Sequence, residues 1–342
     1  MQVQEPFETA TSATELHDLI RREIKPHWQE LARCNSTPEL LAHPTFQHLR
    51  PIISRVLDTA EVGYWGPVRP ECKPRYRFVA WNLERGIRLD GQLEALRTHP
   101  YLSQADVLLL TETDVGMARS RNRHVAATIA RELGFHYAFG TCYLNLAKGA
   151  GEEREVPGEN DLGLHGNALL SRFPIRDVRL IRLLNGIDKM ARPEKRIGSQ
   201  VAVAARIEFP NLPLTAVVVH LDANSSQRHR RDQMATILDA LPRHGPVLIG
   251  GDWNTTTFNS STAFKAIMGY WLRVFLGPGR VIRNHFLHPD RWFERGLFRL
   301  LEKHGFDYRS PNVWGEHTIY YEFENQRTNR GLAEWVPGWC FP

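Results

Sequence analysis

Cysteine is scarce: four residues in 342, Cys34, Cys72, Cys142 and Cys340, none close enough in sequence to another to form a metal-type pair. That spacing suggests neither a dense disulfide framework nor a zinc site, and it fits reduced thiols in a cytoplasmic protein. Long apolar runs are also missing, so no segment is expected to span a bilayer. Met1–Thr11 is polar and partly acidic, unlike the basic-then-apolar start of an export signal, and a soluble, unexported chain is expected. Internal repeats and low-complexity tracts are absent. What remains is an ordinary globular composition, 42% hydrophobic and 24% charged, enough for one large domain or one plus an appendage. The net charge of +5 and the sequence pI of about 9.1 favour anionic partners such as nucleic acid, phospholipid headgroups or phosphorylated small molecules.

Residues 1–74 read as a helical N-terminal extension. Ser12 and Glu15 have capping-box spacing ahead of Leu16, Leu19, Ile20 and Ile24, and Ser36, Pro38 and Glu39 mark a second helix start. Gly63–Pro74, rich in glycine and proline, is the expected linker. From Arg75 onward, short β-rich runs alternate with helical stretches. Strands are expected at Tyr76–Trp81, Val107–Leu110, Ala168–Leu170, Val201–Ile207, Leu214–His220 and Val247–Ile249, and helices around Leu93–Leu96, Val125–Leu133 and Gln233–Leu241. Periodicity alone leaves α/β and α+β open.

Polar residues able to carry chemistry collect at the downstream ends of these runs, where a rigid strand opens to solvent. Asn82 and Glu84 follow Phe78–Trp81, a position that a strand-end turn explains as well as catalysis does. Glu112 ends the run Val107–Leu110; a buried carboxylate needs a partner, and a hard divalent cation or a salt bridge would serve. His220 ends Val217–Val219 and can donate to a phosphoryl oxygen or protonate a leaving group, or be a satisfied structural group. Gly250-Gly251-Asp252-Trp253-Asn254 follows Val247–Ile249; on an extended segment Asp252 and Asn254 share a face, one able to orient water and the other to hold a phosphate oxygen. A carboxylate-held Mg²⁺, an aspartate-oriented water and neutral or cationic donors are what phosphodiester hydrolysis requires.

In order, Trp81-Asn82-Leu83-Glu84, Thr111-Glu112-Thr113, the segment Gly166–Pro174, Val219-His220-Leu221 and Gly251-Asp252-Trp253-Asn254 resemble the endonuclease/exonuclease/phosphatase family, which includes DNase-I-like nucleases and neutral sphingomyelinases. The resemblance covers Arg75 to Asn254 clearly and implies an α+β fold, a four-layered α/β/β/α sandwich with two packed mixed β-sheets, over a domain at 75–342. It also implies Mg²⁺, with Mn²⁺ as a substitute. By position, Glu112 is similar to the family's principal metal ligand and Asn82 to the residue beside it. Asp252 matches the water-orienting carboxylate, Asn254 the phosphate-contacting amide and His220 the phosphoryl-contacting histidine. Asn167 and Arg196 fall in segments that lie near substrate.

One departure stands out: the family's closing Ser-Asp-His signature does not follow Asn254, and no Asp-His dipeptide occurs anywhere in the chain. The expectation is a C-terminus truncated at Pro342. A divalent-metal phosphodiesterase acting on nucleic acid or another phosphodiester is the leading expectation. A phospholipid, sphingomyelin or inositol-phosphate hydrolase is the second, and a non-catalytic binding module lacking the terminal histidine the third. Ser261–Leu300 interleaves seven basic residues with aromatics, a composition that suits base stacking or peripheral contact with an anionic membrane. An amphipathic helix pair covering a sheet is the plainer alternative.

Overall fold

The computed structural model describes residues 13–67, 71–255, 259, 261–313 and 316. Among them the chain divides into two compact units. One runs to His220 and takes in Ala240–Asp252; the other takes in Leu221–Asp239 and the chain from Trp253 onward.

The first unit holds both sheets. Strands β1 (Glu61–Tyr64), β2 (Phe78–Arg85), β3 (Val107–Val115), β4 (His136–Asn145) and β5 (Leu164–Ser171) assemble in the order β1-β4-β5-β3-β2, with β7 (Arg196–Gly198) paired to β4. Strands β6 (Ile175–Arg182), β8 (Val201–Ile207), β9 (Leu214–His220) and β10 (Val247–Asp252) form the second sheet in the order β10-β9-β8-β6. Both are mixed: β2–β3 and β9–β10 run parallel, the other pairs antiparallel. Their packing follows from the pleat, which sends successive side chains to opposite faces. On β3, Val107 and Leu109 enter the core shared with Val203, Ala205 and Val218 of the second sheet. Leu108 and Leu110 enter a core on the other face. A strand buried on both faces has no polar side, which is why Val107–Leu110 reads as an unbroken apolar run. Ala202, Ala204, Val217 and Val219, on the far face of the second sheet, are buried too, so both faces of that sheet are covered, as a four-layered sandwich requires.

Helices α1 (Ala13–Leu19), α2 (Trp28–Leu31), α3 (Thr37–Ala42), α4 (Pro44–Asp58), α5 (Leu89–Thr98) and α6 (Val125–Leu133) lie on the outer core of the first sheet. The start expected at Ser36 is present: its hydroxyl accepts from the Glu39 N–H at 3.2 Å. Ser12, the other expected cap, lies outside the described residues, as do residues 68–70 of the expected linker. That linker opens inside β1, which pairs with β4. Leu16, Ile20, Leu31, Leu49 and Ile53 share one core with Leu108, Leu110 and Leu170, so the residues before Pro74 complete the sandwich rather than follow a separate core.

β1 also carries a buried charge. Glu61 accepts from His124 Nε2 at 2.6 Å, contacts His17 Nε2 at 3.0 Å and receives the Tyr137 hydroxyl. Burial alone pushes its carboxyl up, but the two imidazoles and the hydroxyl hold it well below the usual carboxylate range. With the folded value below the unfolded one of about 4.3, its contribution is complete above that pH and is lost as pH falls through the folded value. Urea midpoints of the wild type and Glu61→Gln should therefore converge as pH drops from about 5 to 3; a gap that stays constant over that range would count against this assignment.

The second unit contains most of α7 (Gln227–Ala240), with α8 (Ala263–Leu276), α9 (Pro278–Val281) and α10 (Arg295–Lys303). Leu297 and Leu301 of α10 are buried, as a core-facing helix requires. Arg230 of α7 is wholly buried against Glu294, which precedes α10.

Candidate active site

Four strand ends meet in the first unit. In register, Asn82 on β2 stands opposite Thr111 on β3, beside Glu112, and His220 on β9 stands opposite Asp252 on β10. All four residues therefore sit toward the C-terminal ends of parallel strand pairs, one pair in each sheet. Packing the sheets face to face brings the pairs together. Asn82 Nδ2 donates to Asp252 Oδ2 at 2.9 Å and to Glu112 Oε1 at 3.2 Å. His220 Nε2 faces the same two atoms' carboxylates, 3.8 Å from Asp252 Oδ2 and 3.9 Å from Glu112 Oε1.

The backbone is bent to make this possible. The β2–β3 register slips between Asn82 and Arg85, and the β3–β5 register slips between Leu110 and Thr113, leaving Thr111 and Glu112 opposite Asn167. Glu84, Arg85 and Glu112 all adopt left-handed φ, at 47°, 65° and 53°. Such residues cost on the order of 1–3 kcal/mol each and persist where the surroundings over-determine them. Here the bulge turns the Glu112 carboxylate out of the strand's alternation and toward Asp252. Asn82 is fixed from the other end: the Glu84 N–H, which can only donate, meets its Oδ1 at 3.0 Å, so the NH₂ is the end between the carboxylates.

Burial by itself raises the Glu112 carboxyl, but the charges of His220, His165 and Arg85, with the Asn82 amide, more than reverse this and hold it at about 2. Burial keeps His165 below the ordinary imidazole value, so its share of that effect is confined to acid pH. Glu112 is thus an anion at neutral pH, 19% exposed and beside a second carboxylate. Among the described residues no cluster of three or more His, Cys, Asp or Glu side chains has metal-holding geometry. Mg²⁺ asks for less: one or two carboxylates, with the remaining positions filled by water and substrate oxygens. The electropositive end of Asn82 already serves Glu112 and Asp252 together, so the pair suits a hard cation.

The other expected residues behave differently. Asn167 is buried, and its amide donates to the Val201 carbonyl at 2.8 Å, a bond that ties β5 to the second sheet. Arg196 pairs with Glu194 and lies over the Tyr143 ring, 5.4 Å from its centre. Both side chains are bonded within the protein; the Val201 carbonyl and the Tyr143 ring are remote in the chain and left no local signal, whereas Glu194 lies only two residues from Arg196. Asn254 belongs to the second unit. It has left-handed φ of 51°, so the extended segment expected from Asp252 to Asn254 does not form, and its amide donates to the Leu221 carbonyl at 2.8 Å. Pro342, the expected point of truncation, lies outside the described residues.

A network that local sequence did not reveal stabilises the end of β3. Arg119, 1% exposed at its side chain, donates to Asp114 at 2.7 and 3.1 Å, to Glu194 at 2.8 Å and to Glu153 at 3.0 Å. His165 Nδ1 meets the same Asp114 at 2.8 Å. The only sequence signal was Asp114, two residues past Glu112 at the end of an apolar run.

Gly251 sets the approach to Asp252. Its φ is 131°, and a Cβ there would lie 2.1 Å from the Val219 carbonyl oxygen, a backbone atom that cannot yield without breaking the β9–β10 ladder. At Gly250 the nearest obstacle is the Leu109 Cδ1 at 2.6 Å, the end of a flexible side chain. Gly251→Ala should therefore cost at least about 2 kcal/mol and Gly250→Ala clearly less. Equal urea midpoints for the two variants would contradict this ordering.

No curated protein matches the chain. Solved structures that align with it include the human Nocturnin catalytic domain with bound sulfate (20% identity, 65% of this chain and 74% of that one, TM-score 0.36). An AP endonuclease from Archaeoglobus fulgidus aligns at 13% identity over 66% of this chain and 69% of that one, TM-score 0.34. ANGEL2, described as a 2',3'-cyclic phosphatase and solved with adenosine-2',3'-vanadate, aligns at 17% identity over 49% of this chain, TM-score 0.34. The chain spans only 44% of that last structure's length. A family model described as Endonuclease/Exonuclease/phosphatase family matches residues 79–321, which include all four clustered side chains, and the chain belongs to that family.

Proposed function

We propose that the chain is a divalent-metal-dependent phosphodiesterase, with nucleic acid or another anionic phosphodiester as substrate. The observation that carries this reading is the meeting of Glu112 and Asp252, from different sheets, on one Asn82 amide with His220 Nε2 within 3.9 Å of both. Glu112, with Asn82 beside it, would hold Mg²⁺ or Mn²⁺. When bound, the ion supplies positive charge to the phosphoryl group and to the departing oxygen. Asp252 orients a water molecule and takes its proton as the water oxygen bonds to phosphorus, while the opposite phosphorus–oxygen ester bond breaks and the departing oxygen takes a proton from solvent. His220 donates from Nε2 to a phosphoryl oxygen, stabilising the charge that develops there. Asn254, whose amide already donates to the Leu221 carbonyl, is left out together with Asn167 and Arg196, which are likewise bonded within the protein. Membership of a phosphoester-hydrolysing family and the surplus of basic residues support an anionic substrate.

The test is hydrolysis of bis(4-nitrophenyl) phosphate and of single- and double-stranded DNA by the full chain. Activity should require added Mg²⁺ or Mn²⁺, disappear with EDTA and return on re-addition of the metal. Turnover indifferent to chelation would overturn the metal dependence. Failure to cleave any phosphodiester, together with no calorimetric binding of Mg²⁺, would favour a non-catalytic binding module.

A further inference from the structure

Helix α8 reverses the usual arrangement of an amphipathic helix. Its buried residue is Gly269, and Ala266 and Arg273 lie on the same, partly buried side. Phe264, Ile267, Met268, Trp271, Leu272 and Phe275 are exposed, with Phe264 at 71% and Phe275 at 83%. Their spacing is 3, 1, 3, 1 and 3 residues, one continuous stripe on a 3.6-residue helix. Single exposed apolar side chains are common on soluble proteins, but six on one face form a contiguous patch of the kind that marks a binding surface. The helix is also capped and complete: the Thr262 hydroxyl accepts from the Lys265 N–H at 3.3 Å, and the Gly277 N–H closes the other end on Arg273 and Val274. The exposure therefore belongs to a formed helix.

Charge identifies the partner. No aspartate or glutamate occurs from Trp253 to Pro289, whereas Lys265, Arg273, Arg280 and Arg283 do. Lys265, Arg280 and Arg283 are exposed, and none of the three forms an ion pair among the described residues. A second copy of this chain packed through the same face would set these cations against their own kind, because a twofold interface is self-complementary. An anionic bilayer meets both requirements, taking the apolar stripe below its headgroups and pairing the cations with lipid phosphates. We infer that α8 docks this protein on the surface of anionic phospholipid membranes, with the Phe264–Phe275 stripe inserted in the interface. The inference concerns the second unit and does not depend on turnover at the phosphodiesterase site.

The experiment is co-sedimentation of the full chain with phosphatidylcholine vesicles with and without phosphatidylglycerol. Binding should favour the anionic vesicles and weaken with salt. Phe264→Glu with Phe275→Glu, both at exposed positions, should reduce binding by at least about tenfold at unchanged circular dichroism and melting temperature. Arg280→Glu with Arg283→Glu should remove the preference for anionic lipid. No vesicle binding by the wild-type chain, or equal binding by the Phe264/Phe275 variant, overturns the inference. So does a concentration-dependent dimer in ultracentrifugation that the same variant abolishes, with no partition to vesicles.

Discussion

Glu112→Gln is expected to lower metal-supported phosphodiester turnover by about three orders of magnitude, on the order of 4 kcal/mol of transition-state stabilisation, while leaving the fold intact. The substitution is nearly isosteric, so the bulge at Glu112 and its contact with Asn82 can persist. It removes the anion that the surrounding charges keep ionised down to about pH 2. Because the surroundings favour the anion over the neutral acid, its loss should also lower the melting temperature somewhat, with the chain still folded at the assay temperature. Asp252→Asn should fall by a comparable factor. Because the two act as a unit, the double variant should lose little more than either single one. Steady-state kinetics with saturating Mg²⁺ decide the matter: a loss of less than tenfold would remove Glu112 from the proposed metal site. A fall in kcat accounted for by the fraction of the variant unfolded at the assay temperature would point instead to a structural role.

Arg119→Met should be the most destabilising of these substitutions, by about 3–5 kcal/mol. Burial alone would weaken the guanidinium's hold on its proton, and Asp114, Glu194 and Glu153 more than reverse that, so the cation and its carboxylates depend on each other. Among the described residues, taking the cation away leaves Asp114, fully buried, with only His165, and Glu194 with only Arg196. Leaving such charges uncompensated costs far more than the ion pair itself contributes. Arg119→Lys should recover part of the loss, since an ammonium keeps the charge but cannot reproduce the two-pronged contact with Asp114. Urea denaturation measures both variants, and a midpoint for Arg119→Met equal to that of wild type would show that Asp114 and Glu194 find other partners. Because Asp114 lies two residues beyond Glu112 on β3, the methionine variant should also lose hydrolytic activity below its melting transition.

Much of the fold is legible in the chain because burial on both faces leaves a direct mark. Val201–Ile207 and Leu214–His220 have the expected bounds, Val107–Leu110 and Val247–Ile249 are the opening halves of longer strands, and Ala168–Leu170 lies within one. Strand β4 escaped notice because Gly140, Thr141 and Asn145 interrupt it, although every residue from His136 to Asn145 is buried. Strand β6 escaped because its arginines and Asp177 obscure the alternation of Ile175, Val178, Leu180 and Ile181. β1 was hidden within a stretch whose glycine and prolines suggested only a linker.

By itself the sequence determined which residue types stand at the strand ends, since an apolar run followed by Asn82, Glu112, His220 or Asp252 is a local pattern. It determined the family for the same reason: ordered local motifs survive without knowledge of their partners. Only the tertiary structure decided which of those ends meet, because Asn82 and Asp252 are 170 residues apart and join through the packing of two sheets. It also decided that the Asn167 and Arg196 side chains are bonded within the protein, and that α8 turns Gly269 inward and its large apolar stripe to solvent. Periodicity describes a stripe on a helix; only the neighbours determine which way that stripe faces.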